Sequence, residues 1–469
     1  MGYTHYDRLP AFDAAFLKIE NENVHMHVGA VVVFDAAPLT AVDGTLDLDV
    51  IRRSLEGALN DTPRFRQKLV DIPLFDHPVW VDDDRFNLDY HFRHTALPQP
   101  GGERQLKRLA GRILSQKLDR GKPVWELWVV EGLEGGRFAL IAKAHHCMVD
   151  GVAGLDLLTS MLRLEPTSSL AAPEPWIPRP APSRQQLMRD ELARRAAFPV
   201  SMVRSAAGIV SDPERITANV QRSARGLAEI LTAGLSPSAR TPLNTDVGPY
   251  RRFDWTTTAI SEIREIRDAF GGTLNDVVLT CAAGAIGDFM RRHNFTLEAE
   301  PFRVQVPMNI RGTDETGGPG NRVALLMAEL PIEETDDVAR LDLVREATTG
   351  AKGSGQRDGL EVLGEFSDRV YPDLLVMFGR IAIAQRSFNI VITNIPGPRD
   401  PAYLGEAQMQ EIYPLVPLAE QQGLGIALFS YNGDLHWGFH ADWDTIPELH
   451  DLVDGVDAHF GRLLDAARR

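Results

Sequence analysis

Cysteine is nearly absent: Cys147 and Cys281 are the two in 469 residues. Two thiols cannot make a disulfide framework, so the fold is expected to rest on its core, in a reducing cytoplasm. No apolar run approaches the roughly 18 residues that cross a bilayer. The opening Met-Gly-Tyr-Thr-His-Tyr-Asp-Arg has no apolar signal core, and Tyr6 departs from the myristoylation pattern. Positive charge is in deficit: 49 Lys and Arg face 65 Asp and Glu, a formal charge of −16. That balance argues against general nucleic-acid binding, though not against a local basic pocket for a phosphorylated substrate. A cysteine pair at zinc spacing and a His-Glu-x-x-His helix are both missing. His25 and His27 share a strand face, but two ligands alone read as a polar surface, so no metal is expected.

What is present describes a globular protein. Hydrophobic residues make 44% and charged residues 24% of the chain, and its length calls for more than one domain. Residues from about Asp13 to Leu164 alternate strand-like and helix-like segments. Glu165 to Pro182 holds six prolines and cannot be regular structure. Arg184 to Leu231 is rich in Arg and Ala and reads as helices broken near Pro199 and at Ser211-Asp-Pro213. The expected domains are therefore 1–164, a linker with crossover helices at 165–240, and 241–469. Strands are expected at Val28–Asp35, Val124–Leu133 and Arg137–His145, the last two joined by Glu134-Gly-Gly136. Asn432-Gly433, between Leu424–Tyr431 and Asp434–Asp442, is the strongest hairpin signal. A closing helix carries Leu449, Val453, Val456, Phe460 and Leu464 on one face.

Chemistry concentrates where the strand Arg137–His145 ends. His145 and His146 are followed by Asp150 and Gly151, the spacing His-His-x-x-x-Asp-Gly. A rigid strand delivers an imidazole, near its working pKa, to the mouth of a turn. Successive strand residues point to opposite faces, so the two histidines cannot share a role. The bland alternative is a pair of half-buried histidines closing a strand. Gly151 lets the chain turn tightly into a helix.

The spacing resembles the signature of acyltransferases related to chloramphenicol acetyltransferase and of peptide-synthetase condensation domains. More narrowly, the chain resembles the bacterial wax ester synthase/acyl-CoA:diacylglycerol acyltransferase family. Five blocks in the family's order carry the resemblance over nearly the full length. Pro123-Val-Trp125 resembles a Pro-Leu-Trp element, and Thr273-Leu-Asn275-Asp276 resembles the Asn-Asp motif. Pro307 to Arg311 with Gly320 to Met327, and Asn389 to Pro398 with its Asn394, follow too. The resemblance implies two chloramphenicol acetyltransferase-like α/β domains, each a mixed sheet with flanking helices, facing each other across a channel. It assigns His146 as general base, with His145 as support. Asp150 then holds the loop through an Arg311 bridge, and Asn275 hydrogen-bonds substrate or steadies His146. Asn394 is a further candidate ligand. Helix capping by Thr273 and Asp276, and a core role for Trp125, are the ordinary readings. A Cys147 nucleophile is poorly disposed, because it diverges from His146; a small apolar filler suits it better.

The implied reaction moves a fatty acyl group from acyl-CoA, a substrate rather than a cofactor, to a long-chain alcohol or diacylglycerol. Two alternatives stay open: a condensation-type enzyme fed by a carrier-protein thioester, and a catalytically silent lipid-droplet protein. Arg184–Gly226 carries eight arginines against four acids. It reads either as a packed crossover helix or as a peripheral contact with the inner membrane face or a lipid droplet. Oligomeric state and acceptor preference are not legible.

Overall fold

The computed structural model describes residues 6–75, 77–148, 156–168, 174–209, 237–297, 300–309, 323–353 and 387–469. Two six-stranded mixed sheets organise them. The first runs in the order Tyr403–Leu404, Ala407–Leu415, His27–Asp35, Arg137–His145, Trp125–Leu133, Phe92–Ala96. Only its last pair is parallel. The second runs Val323–Glu329, Arg303–Asn309, Ile390–Ile395, Leu424–Tyr431, Asp434–Asp442, Arg251–Ala259, with Ile390–Ile395 parallel to both neighbours. A small third sheet joins Asp7–Arg8, Pro78–Asp82 and Gln67–Asp71. This is the mixed α/β architecture expected, with both hairpins in place. Tyr431 pairs directly with Asp434 across Asn432-Gly433, both at positive φ.

The strand His27–Asp35 shows why its sequence is a continuous apolar run rather than an alternating one. Ala30, Val32 and Phe34 pack with Ala14, Leu17, Ile51 and Leu55 of two covering helices. Val31 and Val33 pack on the opposite face with Leu106 and Ala110, and with Phe253 and Trp255 of the second sheet. A strand covered on both faces needs apolar residues at every position.

Three expectations are corrected. The stretch 241–469 does not stay in one domain: Ala407–Leu415 leaves it to pair with His27–Asp35. Without that strand, His27–Asp35 would present a bare backbone edge beside a buried core, an unfavourable arrangement. Second, Pro199 does not break the crossover helix, which runs from Arg184 to Ile209. One proline removes a single hydrogen bond and is tolerated inside a long helix as a local distortion. Third, His25 and His27 are buried, 7% and 2% exposed, and not a polar surface. His27 pairs with His145 in the sheet, and His440 of the second sheet stands near it.

The start of the crossover helix is docked on the protein. Leu187 packs with Ile72, Val79 and Val81. Glu191, 2% exposed, gathers Arg8, Arg194 and Arg195. The proline-rich stretch is irregular, as expected, and Arg179 ties it down through Asp82 at 2.9 and 3.0 Å. Among the described residues no single helix is long and apolar enough to cross a membrane.

The two sheets meet closely: a Cβ on Gly438 would stand 1.8 Å from the Pro414 carbonyl oxygen. Gly438→Ala must therefore push sheet backbones apart, costing about 1–3 kcal/mol by overpacking. Gly461, in the helix Leu449–Ala467, has open space at the same position. There alanine should add about 0.5–1 kcal/mol of helix stability. Thermal unfolding of the two variants should shift in opposite directions. An unchanged or raised midpoint in Gly438→Ala contradicts the close approach.

Candidate active site

The two motif histidines sit side by side in sequence but in different environments. The His145 backbone N–H donates to Val124 O at 2.9 Å and ends the strand Arg137–His145. His146 then opens a 3-10 turn, His146–Met148, its own N–H donating to Met26 O at 2.7 Å.

His145 is 1% exposed, and both its ring nitrogens are occupied. Nδ1 accepts the Cys147 backbone N–H at 3.1 Å, which leaves Nε2–H to donate to Glu20 Oε2 at 2.7 Å. Burial alone would raise the Glu20 carboxyl. The His145 hydrogen bond, with Lys117 at 2.9 Å and Arg120 at 3.0 Å, instead holds it at about 2. Burial lowers His145, so the pair is a neutral imidazole on an ionised carboxylate.

His146 is half-buried and stacks on Phe16, ring centres 4.0 Å apart and 29° from parallel. Neither ring nitrogen bonds another described residue, and Nδ1 is buried without a partner. Burial lowers its pKa to about 4, so it is neutral through the physiological range with a lone pair to offer. Cys147 is 3% exposed, and burial pushes its thiol well above the usual range. A thiol held that far from thiolate is a filler, not a nucleophile.

Among the other expected site residues, two are brought together. Asn275 stands in the first turn of Leu274–Arg292, and its Oδ1 accepts from Asn394 Nδ2 at 2.8 Å. Asn275 therefore steadies Asn394 and makes no bond to His146. Its Nδ2 and Asn394 Oδ1 keep no partner among the described residues. Asp276 is wholly engaged, accepting from Thr273 N at 2.7 Å, Thr273 Oγ1 at 2.8 Å and Thr348 Oγ1 at 2.8 Å. It caps its helix and braces a neighbour. Trp125 is a core residue: Nε1 donates to Phe65 O at 2.7 Å, and the indole stacks on His91 at 4.6 Å. With Ala142, Ala144, Leu158 and Met161 it walls a small cavity on the sheet face opposite His145. Asp150, Gly151 and Arg311 lie outside the described residues.

Two participants carried no sequence signal. Glu20 is one acid among many at a helix end. Lys143, 1% exposed, donates to Ile113 O at 3.0 Å and Gln116 O at 2.9 Å, capping the helix Glu103–Leu114. Burial lowers that ammonium to about 8. No group of three or more His, Cys, Asp or Glu among the described residues is placed to hold a metal ion.

Eight histidines, at positions 25, 27, 77, 91, 145, 146, 436 and 440, are lowered, in each case by burial first. Unfolded, each titrates near 6.5. Below that pH the unfolded chain binds more protons than the folded one, so stability falls as pH falls. The lowered carboxylates near 2, such as Glu20 and Asp337, add to the loss only below about pH 4.5. The guanidinium midpoint should thus be lower at pH 5.0 than at pH 7.5. Equal midpoints would contradict a neutral, buried histidine set.

Comparison with known proteins follows the same lines. The family model for the wax ester synthase/diacylglycerol acyltransferase catalytic domain matches residues 9–278, and the model for the WS/DGAT C-terminal domain matches 319–463. A Mycobacterium tuberculosis protein named as a diacylglycerol O-acyltransferase is 30% identical, covering 99% of this chain and 97% of its own. The O-acyltransferase WSD of Acinetobacter baylyi is 31% identical over 96% and 95%. The solved wax ester synthase/diacylglycerol acyltransferase of Marinobacter aquaeolei VT8 superposes with a TM-score of 0.69 at 26% identity, covering 98% of this chain and all of that one. A starter condensation domain of rhizomide synthetase shares the fold, with a TM-score of 0.57 at 13% identity over 99% and 94%.

Proposed function

The chain belongs to the wax ester synthase/diacylglycerol acyltransferase family, and from that premise we propose that His146 is the general base in a direct transfer of a fatty acyl group from acyl-CoA to an alcohol or diacylglycerol hydroxyl. One observation carries the assignment: of the two motif imidazoles, His145 has both nitrogens committed, and His146 has neither bonded to another described residue.

His146 accepts the hydroxyl proton as the oxygen bonds to the thioester carbonyl carbon. The tetrahedral intermediate then expels the CoA sulfur, and the imidazolium returns the proton to that thiolate. The C–O bond formed replaces the C–S bond broken, and the base ends as it began. Such a base supplies roughly 10²–10⁴-fold. Alignment of the two substrates and donors at the developing oxyanion must supply the rest. Asn275 Nδ2, held in place through Asn394, is the donor we assign to that task.

The test follows thiol release from palmitoyl-CoA with hexadecanol and with a diacylglycerol in parallel. Wild-type protein should release CoA thiol with at least one acceptor. His146→Ala should lose at least 100-fold in turnover while keeping its thermal midpoint, and full turnover in that variant removes the assignment.

The Arg311–Asp150 bridge is part of the same proposal. Removing one partner of a buried pair costs about 3–5 kcal/mol. Arg311→Met should therefore lower the denaturant midpoint, and unchanged stability together with unchanged turnover rules the bridge out.

A further inference from the structure

His146 is presented by a turn, and a turn is only as fixed as the groups that hold it. Three contacts hold this one. Its first N–H is bound by Met26 O, its second, that of Cys147, by His145 Nδ1, and the His146 ring rests on Phe16. The second contact depends on a choice His145 must make. A neutral imidazole carries one N–H, and it accepts at Nδ1 only when the hydrogen is on Nε2. Glu20 Oε2, 2.7 Å from Nε2, is the acceptor that holds the hydrogen there.

Glu20 is well suited to enforce that choice. Its side chain is 1% exposed, and Lys117 and Arg120 form ion pairs with its two oxygens at 2.9 and 3.0 Å. As an ionised carboxylate it can only accept, so the tautomer with hydrogen on Nδ1 would set two acceptors face to face at Nε2 and two donors face to face at the Cys147 amide. Glu20 also ends the helix Ala11–Ile19, its N–H bonding Phe16 O at 3.2 Å. It therefore follows, at a spacing of four residues, the phenylalanine that stacks on His146. One short helix holds both imidazoles, the first by a charge-assisted hydrogen bond and the second by its face.

We propose that Glu20 is a positioning residue for the acyl transfer: through His145 it fixes the turn that aims His146 at the reacting hydroxyl. The inference rests on the reading of His146 as the base. It extends that reading to a residue outside the His-His-x-x-x-Asp-Gly spacing.

The experiment compares Glu20→Met, Glu20→Gln and His146→Ala in the full-length protein by thiol release, with kcat and KM for palmitoyl-CoA measured separately. Lys117 and Arg120 are 42% and 39% exposed, so water can take over their partners when the carboxylate goes. Methionine fills the space but offers no oxygen to the His145 Nε2–H. It should lower kcat by 10- to 100-fold, the scale of a misplaced base, with KM within about twofold. Glutamine keeps an acceptor oxygen and should recover most of that kcat. Adding Glu20→Met to His146→Ala should lower the residual rate no further, because the effect passes through His146. The inference is overturned if Glu20→Met retains wild-type kcat per folded protein, if Glu20→Gln is as impaired as Glu20→Met, or if the two losses add. An active His146→Ala protein instead removes the premise about the base, whatever the Glu20 variants do.

Discussion

A neutral imidazole offers one donor and one acceptor, and the way two adjacent rings divide the available partners arranges this site. The strand end places two such rings in consecutive positions with room for one set of structural partners. His145 takes them, Glu20 on one side and the Cys147 amide on the other. His146, turned out of the strand by the 3-10 turn, is left with a phenylalanine face and an unbonded Nδ1. Leaving a buried polar atom unpaired is unfavourable by about 1–3 kcal/mol.

The fold holds that arrangement by sharing a strand. Ala407–Leu415 is hydrogen-bonded to the first sheet, and its side chains reach the second: Tyr413 stacks on Trp255 at 4.8 Å and its hydroxyl lies 3.2 Å from Thr257. The Gly438 contact with Pro414 draws the sheets together at the same place. Arg251, 3% exposed at the start of the second sheet, binds the carbonyls of Gly248 and Asn23 and takes its own N–H to Ser115. The chain just before the His27 strand is thereby tied to the second sheet, and buried side-chain contacts, ring stacking and a guanidinium on carbonyl oxygens, join it to the sheet that carries His145.

Much of this was readable in the residues. Period-2 and continuous apolar runs marked the strands, Asn432-Gly433 and Glu134-Gly-Gly136 marked the turns, and the spacing after His146 is what the proposed chemistry starts from. What could not be read was long-range. Nothing local to 403–415 says that it completes a sheet begun at His27, because edge pairing is decided by which buried edge lacks a neighbour. Glu20 was invisible for a related reason: its partner is 125 residues away. The polar-surface reading of His25 and His27 failed because what stands near them, His440 of the second sheet, is again distant in sequence.

The pKa of His146 has a consequence for the order of events in the proposed reaction. At about 4 it is a weaker base than a free imidazole, which slows proton removal from an alcohol. The same shift makes its conjugate acid stronger, and a leaving thiolate, with an ordinary thiol pKa near 8.5, takes that proton readily. Burial thus hinders the first half of the transfer and favours the second. The hindrance is smallest when the proton leaves as the C–O bond forms, since the hydroxyl then acidifies as it is consumed. A mechanism through a free alkoxide is correspondingly disfavoured. A concerted attack demands in turn that acceptor, thioester and imidazole be aligned before any bond changes.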